Sequence, residues 1–171
     1  NIDVIIYSLG ELKSTGYNFK CMFSFAFGDE YSKQLCIQSQ KSGLENNIIW
    51  LGSLTYQEMA EHYNAADIVL SVPSSDSSPK SVYEAMFCGK PVIVTDLEWT
   101  NELLSEHNCL LKVPVRDSKR LTESIVSIIK NSVIRDKLSE NALHHSSRFF
   151  DYKKNMRSME KLMVSAIGKE S

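Results

Sequence analysis

Apolar runs of strand length alternate with segments of helical periodicity along most of the chain. The strand candidates are FKCMFSFAF (19–27), NIIWLGS (47–53), IVLSVP (68–73), PVIVTD (91–96) and CLLKVP (109–114). β-Branched and aromatic residues dominate them, and several are apolar almost throughout, as strands buried on both faces should be. Helices are predicted between them, near 3–15, 30–43, 55–66, 79–88 and 99–106. That alternation predicts an α/β fold, a doubly wound parallel sheet with right-handed crossovers.

The pattern changes after the last strand. Residues 118–130 place Leu121, Ile125, Ile128 and Ile129 on one helical face, and 132–148 and 152–167 read as further helices. The last of these carries Met156, Met159, Leu162, Met163 and Ala166 as an apolar stripe, set off from its predecessor by Phe149, Phe150 and Asp151. Such a stripe predicts a packing surface. The expected division is an α/β domain over 1–150 and a carboxyl-terminal helix over 151–171. That helix packs either on this domain or on a neighbouring one.

Composition narrows the class. A chain of 171 residues with 43% hydrophobic and 23% charged residues suits one soluble globular domain. Nineteen basic residues against 21 acidic ones, a net charge of -2, argue against a broad nucleic-acid footprint. No apolar run approaches the roughly 18 residues that span a bilayer. Cys21, Cys36, Cys88 and Cys109 lie far apart with no C-x-x-C pair, so free thiols in a reducing cytoplasm are expected. His62, His107, His144 and His145 include no i, i+4 pair, and no metal site is predicted. There is no G-x-G-x-x-G, Walker loop or D-x-D triplet. The chain opens at Asn1 with neither an initiator Met nor a signal-peptide pattern, so it reads as a piece of a longer protein.

Ligands of open parallel sheets bind beyond the carboxyl ends of the strands. Polar and glycine residues collect there: Gly28-Asp29-Glu30, Gly52-Ser53, Ser74-Ser75-Asp76 and Thr95-Asp96. The helix after 68–73 has a clear start and stop, with Ser78 as N-cap, Pro79 at the first helical position and Gly89 at C′. Its free N–H groups, at Lys80, Ser81 and Val82, point toward the strand-end crevice. With the helix dipole they form a diphosphate cradle that needs no metal or cofactor, and Lys80 adds a positive charge. Glu84, one turn further, reaches the hydroxyls of an attached ribose, and Asp76 addresses the other end of the ligand. A structural reading competes. Ser81-Val82-Tyr83-Glu84 is a capping box if the helix starts two residues later, and Asp76 then merely braces a turn. Spacing alone leaves both open.

The order of residues over 47–114 resembles the carboxyl-terminal, donor-binding domain of retaining glycosyltransferases of family 4. These are the group 1 transferases with two Rossmann-like domains, the GT-B fold. An apolar strand ending in Phe-Leu-Gly is matched by Ile48-Ile49-Trp50-Leu51-Gly52, and the following strand ending in Pro-Ser by Ile68 through Ser74. The family's motif of two glutamates separated by seven residues is matched by Asp76 and Glu84. It runs into Glu84-Ala85-Met86-Phe87-Cys88-Gly89-Lys90-Pro91-Val92-Ile93. A later block is matched from Arg116-Asp117 through Arg135 and Ala142.

The resemblance implies that Glu84 holds the nucleotide ribose and that the amides of Lys80, Ser81 and Val82 receive the diphosphate. The base would lie past Gly52, around Leu54, and Asp76 would meet the donor sugar in the catalytic position. Gly28, Ser78 and Pro79 complete the implied donor site. The implied partners are a nucleotide-diphosphate sugar, a UDP-sugar ahead of a GDP-sugar, and a missing amino-terminal acceptor domain. The implied activity is hexosyl transfer to a glycan or lipid-linked acceptor in polysaccharide or glycoconjugate synthesis. It would be cytoplasmic, with the whole enzyme peripherally associated with the inner face of the membrane. The family's Arg- and Lys-bearing strand and loop should precede residue 1, so this fragment alone is expected to be inactive. Four departures stand out: Asp76 for a glutamate, Ser77-Ser78-Pro79 for Gly-Phe-Gly, Glu98-Trp99 for the glycine pair before Glu102, and Cys109 for a glycine. They leave a second reading, a non-catalytic nucleotide-sugar-binding or scaffold domain with a degenerate site.

Overall fold

The computed structural model describes residues 1–25, 28–77, 79–101, 108–149 and 151–167, with only the backbone of Phe149. The strands are β1 (Cys21–Phe23), β2 (Ile48–Trp50), β3 (Val69–Ser71), β4 (Val92–Thr95) and β5 (Leu111–Val113). The helices are α1 (Ile2–Ser14), α2 (Glu30–Lys41), α3 (Tyr56–Ala65), α4 (Lys80–Phe87), α5 (Ser118–Lys130), α6 (Ser132–Phe149) and α7 (Tyr152–Ile167). All five predicted strands are present but shorter than their apolar runs. The predicted helix near 99–106 lies mostly outside the described residues, as does the end of the 19–27 run.

Every strand pair is parallel: β1 with β2, and β3 with β4 with β5. Strand β4 shows how the layers form. Its four residues are all buried, and successive side chains point to opposite faces. Ile93 packs with Val4, Ile6 and Leu9 of α1, Leu35 of α2 and Leu121 and Ile128 of α5. Val92 and Val94 pack on the other face with Val82, Ala85 and Met86 of α4, Tyr63 of α3 and Ala142 of α6. Helices thus cover both faces of a parallel sheet, which is the predicted doubly wound arrangement.

The two ladders share one core but no hydrogen bonds. The Cys21 N–H donates to the Asn47 carbonyl at 2.8 Å and the Leu51 N–H to the Phe23 carbonyl at 2.9 Å. Alternation along a parallel ladder therefore turns the Met22 peptide groups away from β2. The Val69 N–H donates to the Pro91 carbonyl at 2.9 Å, which turns Leu70 and Val72 away from β4. Among the described residues, neither Met22 nor Leu70 has a backbone partner on that side. The Val72 carbonyl is met by a side chain, the Asn1 amide at 2.9 Å. Helix α1 packs against both α2 and α5 and so bridges the two ladders.

Helix α7 has no buried residue. Its apolar stripe is exposed, Leu162 by 70% and Ile167 by 75%. No disulfide joins the four cysteines, and burial pushes the Cys21 thiol up to about 12.

Ile6 is fully buried at the bridge between the ladders. Ile6→Ala is expected to destabilise the domain by about 2–5 kcal/mol, read as a lower urea midpoint. A loss below about 1 kcal/mol would mean that α1 does not tie the ladders together.

Candidate functional site

The crevice beyond β2 and β3 is set by the starts of α3 and α4. Gly52 turns the chain out of β2 with φ 72°, a conformation that glycine adopts without the clash a Cβ would bring. The Ser24 hydroxyl donates to the Gly52 carbonyl at 3.2 Å, tying the ends of β1 and β2. Thr55 then opens α3 with a full capping box. Its N–H and hydroxyl donate to Glu58 Oε2 at 2.8 and 2.7 Å, and the Glu58 N–H donates back to Thr55 Oγ1 at 3.3 Å. The Thr55 hydroxyl first, and its amide second, hold the Glu58 carboxyl below its ordinary range. Tyr56 is fixed as the first residue of the helix and is 67% exposed.

Helix α4 starts differently. Pro79 is its N-cap, extended at φ -70° and ψ 114°, and offers no side-chain cap. The helix therefore opens one residue later than predicted, because Pro79 keeps an extended ψ and is the last non-helical residue. Ser78, predicted as the cap, lies outside the described residues. The Val82 N–H donates to the Pro79 carbonyl at 3.0 Å, and its side chain is fully buried. The amides of Lys80 and Ser81 remain as outward donors. By contrast α2 and α5 are capped by Asp29 and Asp117 side chains. The other end of α4 is closed as predicted. Gly89, at φ 63°, donates to the Met86 carbonyl at 2.9 Å, and Lys90 to the Ala85 carbonyl at 3.1 Å. Those two bonds are a Schellman motif.

Glu84 makes no capping box with Ser81. Its Oε2 accepts from the Tyr63 hydroxyl at 3.4 Å and its Oε1 lies 3.5 Å from Lys80 Nζ. Burial first, then the Glu84 charge, raises the Tyr63 hydroxyl pKa well above its ordinary value, so Tyr63 stays a donor. The carboxylate is oriented from two sides, yet a quarter of its side-chain surface is exposed. An ionised carboxylate has roughly four acceptor sites, so two partners leave room for two hydroxyl donors. Lys80 Nζ also sits 4.2 Å above the Tyr56 ring. A hydrogen bond to Tyr56 raises the Lys80 pKa, with burial opposing and Glu84 adding to the rise. Lys90 Nζ donates to the Asn64 carbonyl at 2.9 Å and staples α4 to α3.

The structure thus brings together Lys80, Ser81 and Glu84 from the predicted set, and adds Tyr56 and Tyr63. The sequence reading gave neither tyrosine a role in the site. They lie seven residues apart, two helical turns, and that spacing on one face was the available signal. Asp76 is exposed and accepts from the Ser77 N–H at 2.7 Å. Gly28 stands at the start of α2 with φ 129°, donating to Ser32 Oγ at 3.2 Å, and Leu54 is half-buried. No hydrogen bond or ion pair links Gly28 or Leu54 to the Lys80–Glu84 cluster among the described residues. Trp99, where the resemblance expects glycine, turns its ring edge-on to Tyr83 at 6.4 Å, and Glu102 lies outside the described residues. Among the described residues no three His, Cys, Asp or Glu side chains are grouped to hold a metal, and no helix is long and apolar enough to cross a membrane.

The family model "Glycosyl transferases group 1" matches residues 1–145. The chain belongs to the group 1 glycosyl transferases. Phosphatidyl-myo-inositol mannosyltransferase of Mycobacterium leprae is 28% identical over 102 residues, 59% of this chain and 27% of that protein. Alpha-monoglucosyldiacylglycerol synthase of Streptococcus pneumoniae is 29% identical over 76 residues, 44% of this chain and 17% of that protein. Anabaena Alr3699/HepE in complex with UDP-glucose superposes with a TM-score of 0.84 at 23% identity, covering 95% of this chain and 44% of that one. The chain spans less than half the length of each of these glycosyltransferases. The superposition carries the Rossmann-like GT-B fold to the chain.

The Thr55–Glu58 box that places Tyr56 is expected to be pH-dependent. The Glu58 pKa is lowered on folding, so its contribution is complete above the ordinary value of 4.5 and is lost as pH falls through the lowered one. Urea midpoints of the native chain and Glu58→Ala should differ at neutral pH and converge on acidification. A gap unchanged by acid would remove the carboxylate from the cap.

Proposed function

We propose that this chain is the donor-binding half of a retaining hexosyltransferase and that it grips a nucleoside diphosphate sugar between α3 and α4. The observation that carries the reading is Glu84, held by Tyr63 and Lys80 one turn inside a helix start whose Lys80 and Ser81 amides have no side-chain cap. That is a ribose acceptor beside an anion cradle, at the spacing of adjacent parts of one ligand. A UDP-sugar is favoured over a GDP-sugar, in keeping with the UDP-glucose bound by Alr3699/HepE.

The residues divide the work as follows. Glu84 accepts the two ribose hydroxyls, and the Lys80 ammonium and the α4 amides take the diphosphate. As the glycosidic bond to the diphosphate breaks, negative charge grows on the leaving oxygens, and fixed donors favour that charge without reorganising. Asp76 meets the donor sugar. The hydrogen bond it accepts from the Ser77 amide fits a carboxylate held in a turn until sugar hydroxyls arrive. Gly28, Gly52, Leu54 and Pro79 shape the walls around nucleotide and sugar.

The open backbone of Met22 and Leu70 supports a further parallel strand between β1 and β3 in the whole protein. The uncovered stripe of α7 supports a second, acceptor-binding domain as its packing partner. Without those parts, the chain alone should bind donor but not transfer sugar. The names of the Mycobacterium leprae and Streptococcus pneumoniae relatives contain lipids. They favour a lipid-linked acceptor and a cytoplasmic enzyme at the membrane face.

Calorimetric titration of UDP into the chain is expected to show binding that Glu84→Ala weakens by about tenfold or more, the loss of hydrogen bonds to a charged acceptor. A folded chain that binds none of UDP, GDP and ADP would overturn the donor-site reading.

A further inference from the structure

Tyr56 is a large exposed residue beside the start of α4, and the donor reading gives it no task. Its place is not accidental to the fold. The capping box fixes Tyr56 as the first residue of α3, four residues past the Gly52 turn, on the side where the base is expected. Helices α3 and α4 pack side by side, and both begin at the carboxyl ends of their strands. Two contacts link them on this face. Deeper in, Tyr63 meets Glu84 at 3.4 Å, and at the helix starts Lys80 lies over Tyr56 at 4.2 Å.

The Lys80 ammonium therefore has three partners it cannot serve equally: the Tyr56 ring, the Glu84 carboxylate and any anion at the α4 amides. A lysine held over an exposed aromatic face is weakly bound compared with one that meets a diphosphate at a helix N-terminus. Anion binding should draw Lys80 toward the start of α4, and that movement uncovers the ring. An uncovered tyrosine next to a bound ribose is a stacking surface for whatever base the ribose carries, since every base has a π-face.

Resting on the donor-site reading, we propose that Tyr56 is the stacking platform for the nucleobase and that Lys80 covers it until a diphosphate draws the ammonium away. Diphosphate and base then assist one another through a single lysine. Stacking is tolerant of base identity, so Tyr56 adds affinity for the nucleoside without selecting uracil over guanine.

Pyrophosphate and UDP, titrated into the same folded chain, separate the parts. Tyr56→Ala is expected to weaken UDP by about tenfold, within the stacking range of roughly 5- to 150-fold, and to leave pyrophosphate unchanged or slightly tighter. Tyr56→Phe keeps the ring and should restore UDP binding, whereas Lys80→Met should weaken both ligands. By NMR, the Lys80 ε-methylene should carry a ring-current shift from Tyr56 that pyrophosphate alone abolishes. The proposal is overturned if Tyr56→Ala weakens both ligands equally or neither, or if the ring-current shift persists with pyrophosphate bound. If the native chain binds pyrophosphate but not UDP, Tyr56 is no platform although the anion cradle stands. If it binds neither, the donor site itself fails and Tyr56 with it.

Discussion

The burial of β4 on both faces is the constraint from which the rest of the arrangement descends. Ile93 on one side and Val92 and Val94 on the other demand helices above and below, and parallel pairing demands that each strand be followed by a crossover. Helix α4 is the crossover between β3 and β4, so its start must lie beyond the carboxyl end of β3 and its body must cover Val92 and Val94. Val82, Ala85 and Met86 do the covering and are fully buried. In an eight-residue helix, that leaves Lys80, Ser81, Tyr83, Glu84 and Phe87 to face elsewhere. The polar face of α4 is thus a by-product of core packing, and Glu84 has one direction available, toward α3.

That constraint explains why the site is tense in one place and slack in another. Glu84 and Tyr63 are set by buried neighbours, so the distance between them follows from the core. Lys80 is held only by weak, exposed contacts, to Tyr56 and to Glu84, of the kind worth little in water. A fixed carboxylate with a loosely held cation beside it suits a ligand that is neutral at one end and strongly anionic at the other. It suits an acid–base pair poorly, since the groups against Glu84 are Tyr63 and Lys80, both shifted toward staying protonated.

Much of this was legible along the chain because the signals were local and redundant. Continuous apolar runs marked strands buried on both faces, and Gly89 marked the end of α4, where it now completes a Schellman motif. The residues Lys80, Ser81 and Glu84 were readable because a helix start and an i, i+4 pair are fixed by one element alone. Tyr56 and Tyr63 were not, because their roles come from how α3 leans on α4, and a contact across 21 or 24 positions leaves no local trace. Pro79 was misplaced by one residue for a smaller reason. Proline suits the first helical turn and the residue before it almost equally, and the choice between them rests on ψ.

The departures from the family pattern gain meaning from the same geometry. Trp99 is partly buried, edge-on to Tyr83 and in the cluster that supports Val82 and Met86. The indole in place of a glycine therefore packs against α4, the helix that carries Glu84. A glycine pair there would let backbone approach a ligand closely, whereas a tryptophan fills that space with apolar surface and stiffens the wall instead. Asp76, one methylene shorter than the glutamate of the pattern, precedes the same helix. Both departures thus lie outside Lys80, Ser81 and Glu84, the residues proposed above to hold the nucleotide.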